Sequence, residues 1–200
     1  MPTHFYIGLD LGQKVDHSAL AIIDHDMQIL KDRNPVTCEH LRVITRTVRY
    51  LEVLPLGMPY PDQVDHVESL VRELKLQGDV TLALDGGGVG GPVVDLFRRA
   101  RLNCHLTPII LTGGINPGYS GSYSCVPRRE LLSNLQVMLE HNRLQFATDL
   151  PAWQRLVREI TGLRASNSIE PHDDLAFAVA LAAWSCRKTA DAPPLPSYTF

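Results

Sequence analysis

The sequence predicts an α/β fold: a mixed five-stranded sheet in the order β-β-β-α-β-α-β, flanked by helices and followed by additional C-terminal helices. Three observations carry this expectation. Three β-patterned runs with short turns precede any helical pattern, as in an antiparallel meander. Beyond Pro59 and Pro61 the apolar spacing changes from two to three and four, the shift from strand to helix. Strands and helices then alternate, which requires a sheet with covered faces. The 200 residues, 44% hydrophobic and 20% charged, suffice for one domain with a core.

Each element has its own signal. Residues 5–10 (FYIGLD) alternate and stop at Gly12, and Ala19 to Ile23 forms a second run ending at Asp24-His25-Asp26. Residues 41–54 are rich in β-branched side chains and form the longest candidate strand. Val64, Val67, Leu70, Val71 and Leu74 share a helical stripe closed by Gly78. Val80 to Leu84 is solidly apolar, as a strand buried on both faces must be. The glycines of 85–91 turn the chain, Pro92 opens a helix, and a strand over 103–111 follows. Residues 112–126, rich in Gly and Ser, read as a mobile functional loop. Helices are expected over 127–141, 150–162 and 173–187. The domain is expected to span 1–188, with a proline-rich, flexible tail over 189–200.

Composition excludes some classes. No apolar run approaches the roughly 18–20 residues of a transmembrane helix. The N-terminus lacks the basic and apolar regions of a signal peptide. The four cysteines contain no C-x-x-C pair, which argues against a zinc ribbon or disulfide scaffold and for reduced thiols in the cytoplasm. The net charge of −3 is unevenly spread: residues 1–97 hold 8 Lys/Arg and 14 Asp/Glu, residues 98–200 hold 11 and 8. That split fits two ordinary solvated surfaces, or a polyanion site whose cations share one face.

The acids fall where chemistry could be built. Asp10 ends the first strand, Asp85 ends the buried strand, and Asp173 and Asp174 open the almost wholly apolar helix 175–184. Carboxylates gathered at the ends of core elements repel one another and their pKa values rise unless a cation neutralises them. Mg²⁺ or Mn²⁺ meets that need, and two ions about 4 Å apart can hydrolyse a phosphodiester. The plainer readings are a turn residue for Asp10 and Asp85 and a helix cap for Asp173 or Asp174. His172 reads as a cap neighbour or a hydrogen-bond donor behind the acids, with a direct metal-ligand role as the lesser alternative and Glu170 a weaker candidate for that role. Glycines 86–91 serve close approach of a phosphate or a simple turn, and match neither a P-loop nor a dinucleotide fingerprint. Arg98, Arg99 and Arg101 at one helix end, with Arg128 and Arg129 at the start of the next, fit DNA-backbone contacts. Arg155, Arg158 and Arg164 continue the basic series and read first as a solvated helix face, with phosphate contacts as the alternative.

IGLDLGQ (7–13) with Asp16 and Ala19, LALDGGGVGGPVVDLF (82–97), VPRRELLSNLQVMLEHNRLQFA (126–147) and HDDLAFAVALAAW (172–184) together resemble the nuclease domain of bacteriophage terminase large subunits. The resemblance spans about residues 5–187 in the family's order. It implies a ribonuclease H-like fold related to Holliday-junction resolvases, and two-metal cleavage of double-stranded DNA during packaging and maturation. The family's aspartates fall on Asp10, Asp85 and the His-Asp-Asp motif, where Asp173 and Asp174 remain alternatives. Double-stranded DNA and a separate packaging ATPase, a portal or a small terminase subunit are implied as partners, in the cytoplasm of a bacterial host. The chain opens on the nuclease strand, so it is expected not to pump DNA by itself. It also carries Arg128 where relatives often have Lys. The alternatives are a non-catalytic DNA-binding or packaging adaptor, and a fragment of the actin-like or sugar-kinase ATPases, which share the G-x-D-x-G strand at about twice the length.

Overall fold

A computed structural model describes residues 3–12, 16–33, 38, 40–87, 91–165 and 173–190. Its elements run β1 (Thr3–Asp10), β2 (Ala19–Arg33), β3 (His40–Val53), α1 (Tyr60–Lys75), β4 (Gly78–Asp85), α2 (Gly91–Arg99) and β5 (His105–Thr112). Then come β6 (Gly118–Ser120), β7 (Tyr123–Pro127), α3 (Arg128–Glu140), β8 (Gln145–Phe146), α4 (Trp153–Ala165) and α5 (Asp174–Ala190). All strands join one mixed sheet ordered β6-β7-β5-β4-β1-β2-β3-β8. The five expected strands are its contiguous centre. This is the mixed α/β sheet flanked by helices that the sequence predicts.

Three strands exceed the sequence expectation. β6 and β7 form a hairpin inside the segment read as a mobile loop, with Tyr119 opposite Ser124. β7 continues the sheet beside β5, pairing Ile109 with Ser124 and Leu111 with Val126. Its signal was hidden because only five residues alternate, in a glycine- and serine-rich setting. β8 adds two residues beside β3. β2 also runs ten residues beyond Ile23, because Asp24-His25-Asp26 keeps the two-residue period instead of turning. His25 faces inward at 8% exposure, whereas Asp24 accepts from Arg49 Nε at 2.9 Å. The expected domain boundary at 188 falls inside α5, which continues to Ala190; residues 191–200 of the expected tail lie outside the described residues.

Strand alternation sorts the core into two layers. Phe5, Ile7, Leu9, Leu82 and Leu84 face α1 and α2, packing on Val64, Val67, Val71, Val94 and Phe97. Tyr6 and Ala83 face the other way, toward α5, α3 and Leu156 of α4. Helix α5 is apolar all round because it lies between the sheet and other helices; residues 175–184 are all buried. Its alanines let it approach closely.

Candidate active site

The candidate site lies at the C-terminal edge of β1 and β4, where strand register does the positioning. The two strands are parallel, with Gly8 beside Ala83 and Leu9 beside Leu84. One further step sets Asp10 beside Asp85, at an interstrand spacing of about 4.8 Å. Asp10 shares its face with Tyr6 and Gly8, and Asp85 shares its face with Ala83, so both acids address the α5 side of the sheet.

Helix α5 brings the remaining acids. A side chain on Gly8 would overlap the carbonyl oxygen of Ala178 and stand 2.7 Å from Ala182 N, so only glycine allows this approach. Asp174 lies one turn before Ala178 on the same helix face, and is thereby presented to Asp10. The turn after β1 is braced separately. Gly12 N–H donates to Ser18 Oγ at 3.0 Å, and Tyr60 OH donates to Gly12 O at 3.1 Å.

Electrostatics join the four carboxylates. Burial, then the charges of Asp85, Asp174 and Asp173, hold the Asp10 carboxyl well above the usual range, against the opposing pull of Arg128. Burial also raises Asp85, but Gly87 N–H donates to its Oδ1 at 2.8 Å, and Leu111 N–H and Arg128 further favour its anion. In this pair Asp85 is the better-supported anion, and Asp10 is the one driven toward its neutral form.

Two arginines meet the acids of α5. Arg128 Nη2 stands 3.5 Å from Asp173 Oδ2, with the guanidinium 4.0 Å over the Phe177 ring. Arg155 Nη2 donates to Asp174 Oδ2 at 2.9 Å, while its Nε donates to Glu159 Oε1 at 2.8 Å. Glu159, buried, also accepts the Ala176 N–H at 2.9 Å and so closes the N-terminus of α5. Sequence reading missed Arg155 and Glu159 as parts of this site. The signal was present, since the two are one helical turn apart, but the target of Arg155 lies 19 residues on and that of Glu159 lies 17.

Other expected residues are distributed differently. Arg129 is exposed at the start of α3, beside Arg128. Helix α2 runs back along the sheet, so Arg101, just beyond it, lies with Lys75 and Leu76 at the end opposite the acids, while Arg99 is exposed at the helix end and Arg98 reaches the β6–β7 hairpin. Arg98 is engaged there: it pairs with Asp95 at 3.0 Å, donates to Ser122 Oγ at 2.5 Å and stands over the Tyr123 ring. His172 and Glu170 lie outside the described residues, as do residues 88–90 of the glycine run.

Among the described residues, no three His, Cys, Asp or Glu side chains form a group placed to hold a metal ion. The donor set nevertheless suits a hard divalent cation. It consists of carboxylate oxygens alone, and one of them, Asp10, is raised by burial and by the others' charge in spite of Arg128.

No protein-family profile matches the sequence, and no curated protein is similar to it. Solved structures share its fold. The large terminase nuclease of thermophilic phage G20c with bound magnesium superposes at a TM-score of 0.57 and 19% identity, over 91% of this chain and 81% of that one. The same nuclease with bound zinc gives 0.53 and 22%, over 90% and 80%. The human cytomegalovirus terminase nuclease domain, manganese-soaked and inhibitor-bound, gives 0.53 and 13%, over 92% and 83%. At these identities the likeness establishes the fold.

Proposed function

We propose that this chain is a divalent-metal-dependent endonuclease that hydrolyses phosphodiester bonds of double-stranded DNA, as a terminase-type nuclease in viral DNA packaging and maturation. The observation that supports the reading most is Asp10 beside Asp85 at the strand ends, its carboxyl raised first by burial and then by the charges of Asp85, Asp174 and Asp173. The fold shared with terminase nucleases solved with magnesium or manganese supports it.

Asp10, Asp85 and Asp174, with Asp173 beside them, would hold one or two Mg²⁺ or Mn²⁺ ions. Such ions supply Lewis-acid polarisation of the phosphate and a more acidic bound water. The chain's own residues do the rest. Asp85 is oriented by two backbone N–H groups, and Asp174 by Arg155 and Glu159. Arg128 offers a guanidinium in reach of the acids and Arg129 an exposed one beside it, both suited to backbone phosphates. On this reading the expected packaging partners (a separate ATPase, a portal, a small terminase subunit) and a bacterial cytoplasmic setting follow. Among the described residues, no helix is long and apolar enough to cross a membrane.

A non-catalytic DNA-binding or packaging adaptor is the second reading, favoured by the arginines that already engage Asp173 and Asp174. Plasmid nicking in Mn²⁺ separates the two. The wild type is expected to nick, and Asp10→Asn to lose nicking with an unchanged circular dichroism spectrum. Nicking retained by a clean Asp10→Asn preparation would refute the assignment. No nicking by the wild type, with no rise in Tm at millimolar Mn²⁺, would select the adaptor.

A further inference from the structure

A second charged hollow lies away from the acids, where β3, α3 and α5 meet. It encloses about 380 Å³ and is lined by Arg46, Glu130, Ser133, Asn134, Arg143 and Arg187, with Val137 and Met138 as an apolar wall. That volume falls within the range of small-ligand sites. Arg187 is thirteen residues beyond Asp174 on α5, roughly 20 Å along the helix axis, so this is a distinct site.

The charges do not balance. Three guanidiniums from three segments share the hollow with one carboxylate, and that one, Glu130, is already paired with Arg187 at 2.9 Å. Arg46 is half-buried, and its Nε donates to Cys186 Sγ at 3.1 Å, a weak acceptor for a cation. Among the described residues no carboxylate oxygen lies within salt-bridge distance of Arg46 or Arg143. The neighbouring His25, whose Nδ1 is 3.0 Å from the same sulfur, offers no negative charge. A half-buried guanidinium without an anion, as Arg46 is, is costly, and a planar fork beside hydroxyl and amide donors matches phosphate oxygens.

We propose that this hollow binds a phosphate-bearing ligand, its oxygens held by Arg46, Arg143 and Arg187 and its less polar part resting on Val137 and Met138. Two sources share that chemistry: a soluble phosphorylated compound, and a backbone phosphate of nucleic acid. The site is independent of the nuclease reading, because none of its residues belongs to the acidic cluster.

Calorimetric titrations in EDTA keep divalent cations out of both sites and so isolate this one. Inorganic pyrophosphate is titrated into the full chain in one arm, and a short DNA duplex in the other. Arg143→Ala is the main variant because Arg143 is exposed and its loss leaves the core intact. Arg46→Ala is the second, with circular dichroism as its folding check. Saturable pyrophosphate binding, weakened roughly tenfold or more by Arg143→Ala, supports a soluble ligand. Duplex binding with the same dependence, and no pyrophosphate binding, supports a backbone phosphate. No binding in either arm, or binding indifferent to Arg143→Ala, overturns the proposal. Loss of Mn²⁺-dependent nicking would leave it standing, so the two readings fail separately.

Discussion

Gly8 and Ala178 bring two backbones together: no side-chain atom of Gly8 separates strand β1 from the carbonyl of helix α5. That contact decides how far Asp174 stands from Asp10. The acids at the sheet edge therefore depend on a glycine two residues before the first of them.

Replacing that glycine tests the dependence. Gly8→Ala places a methyl group against backbone atoms of Ala178 and Ala182, which cannot swing aside. Denaturant unfolding should show a loss of about 1–3 kcal/mol, the usual cost of overpacking. Nicking should fall further than the loss of folded protein explains, because α5 is displaced from β1. A variant as stable and active as wild type would show that the approach is not needed.

Asp10 contributes a pH dependence whose sign follows from its raised carboxyl. The folded state binds the proton more tightly than the unfolded state, whose ordinary carboxyl titrates near 3.8. As pH rises above that value the unfolded chain loses its proton first, so metal-free stability declines until the folded carboxyl also ionises. Asp10→Asn removes the penalty and should raise the metal-free Tm at neutral pH by a few degrees. A lower Tm for this variant across the pH range would contradict the electrostatic account.

The Arg155 cluster makes an opposite prediction for stability. Arg155→Ala removes the guanidinium that buried Glu159 and the Asp174 carboxylate share. The guanidinium is partly exposed, so a loss of about 1–3 kcal/mol is expected, below the cost of breaking a fully buried pair. Arg155→Lys should recover only part of it, since one ammonium cannot serve both carboxylates with the same planar fork. Equal stability of all three proteins in urea titrations would remove the cluster from the account of α5.

Arg98 separates position from charge. Its contacts with Asp95, Ser122 and the Tyr123 ring tie α2 to the β6–β7 hairpin. Arg98→Ala should speed limited proteolysis within 118–123 while leaving the salt dependence of DNA binding unchanged. A salt slope shallower by about one unit would instead return Arg98 to the phosphate contacts.

Much of this protein is legible along the chain. Five central strands, the helices and the four acids at element ends follow from periodicities of two and near four, and from polar residues that stop apolar runs. Local pattern also explains its own failures: β7 is too short to stand out, and Asp24-His25-Asp26 resembles a turn while it alternates as a strand. What only the tertiary structure decides is which remote residues meet. Arg101 reads as a phosphate contact like Arg128 until the direction of α2 carries it to the other end of the sheet, beside Lys75. Arg155 reads as a solvated cation until α4 packs beside α5 and lays it on Asp174. Sequence sets each residue's local conformation and face, because those depend on neighbours within a turn. Helix direction and strand register set the partners, because they arise only when whole elements bury their apolar faces together.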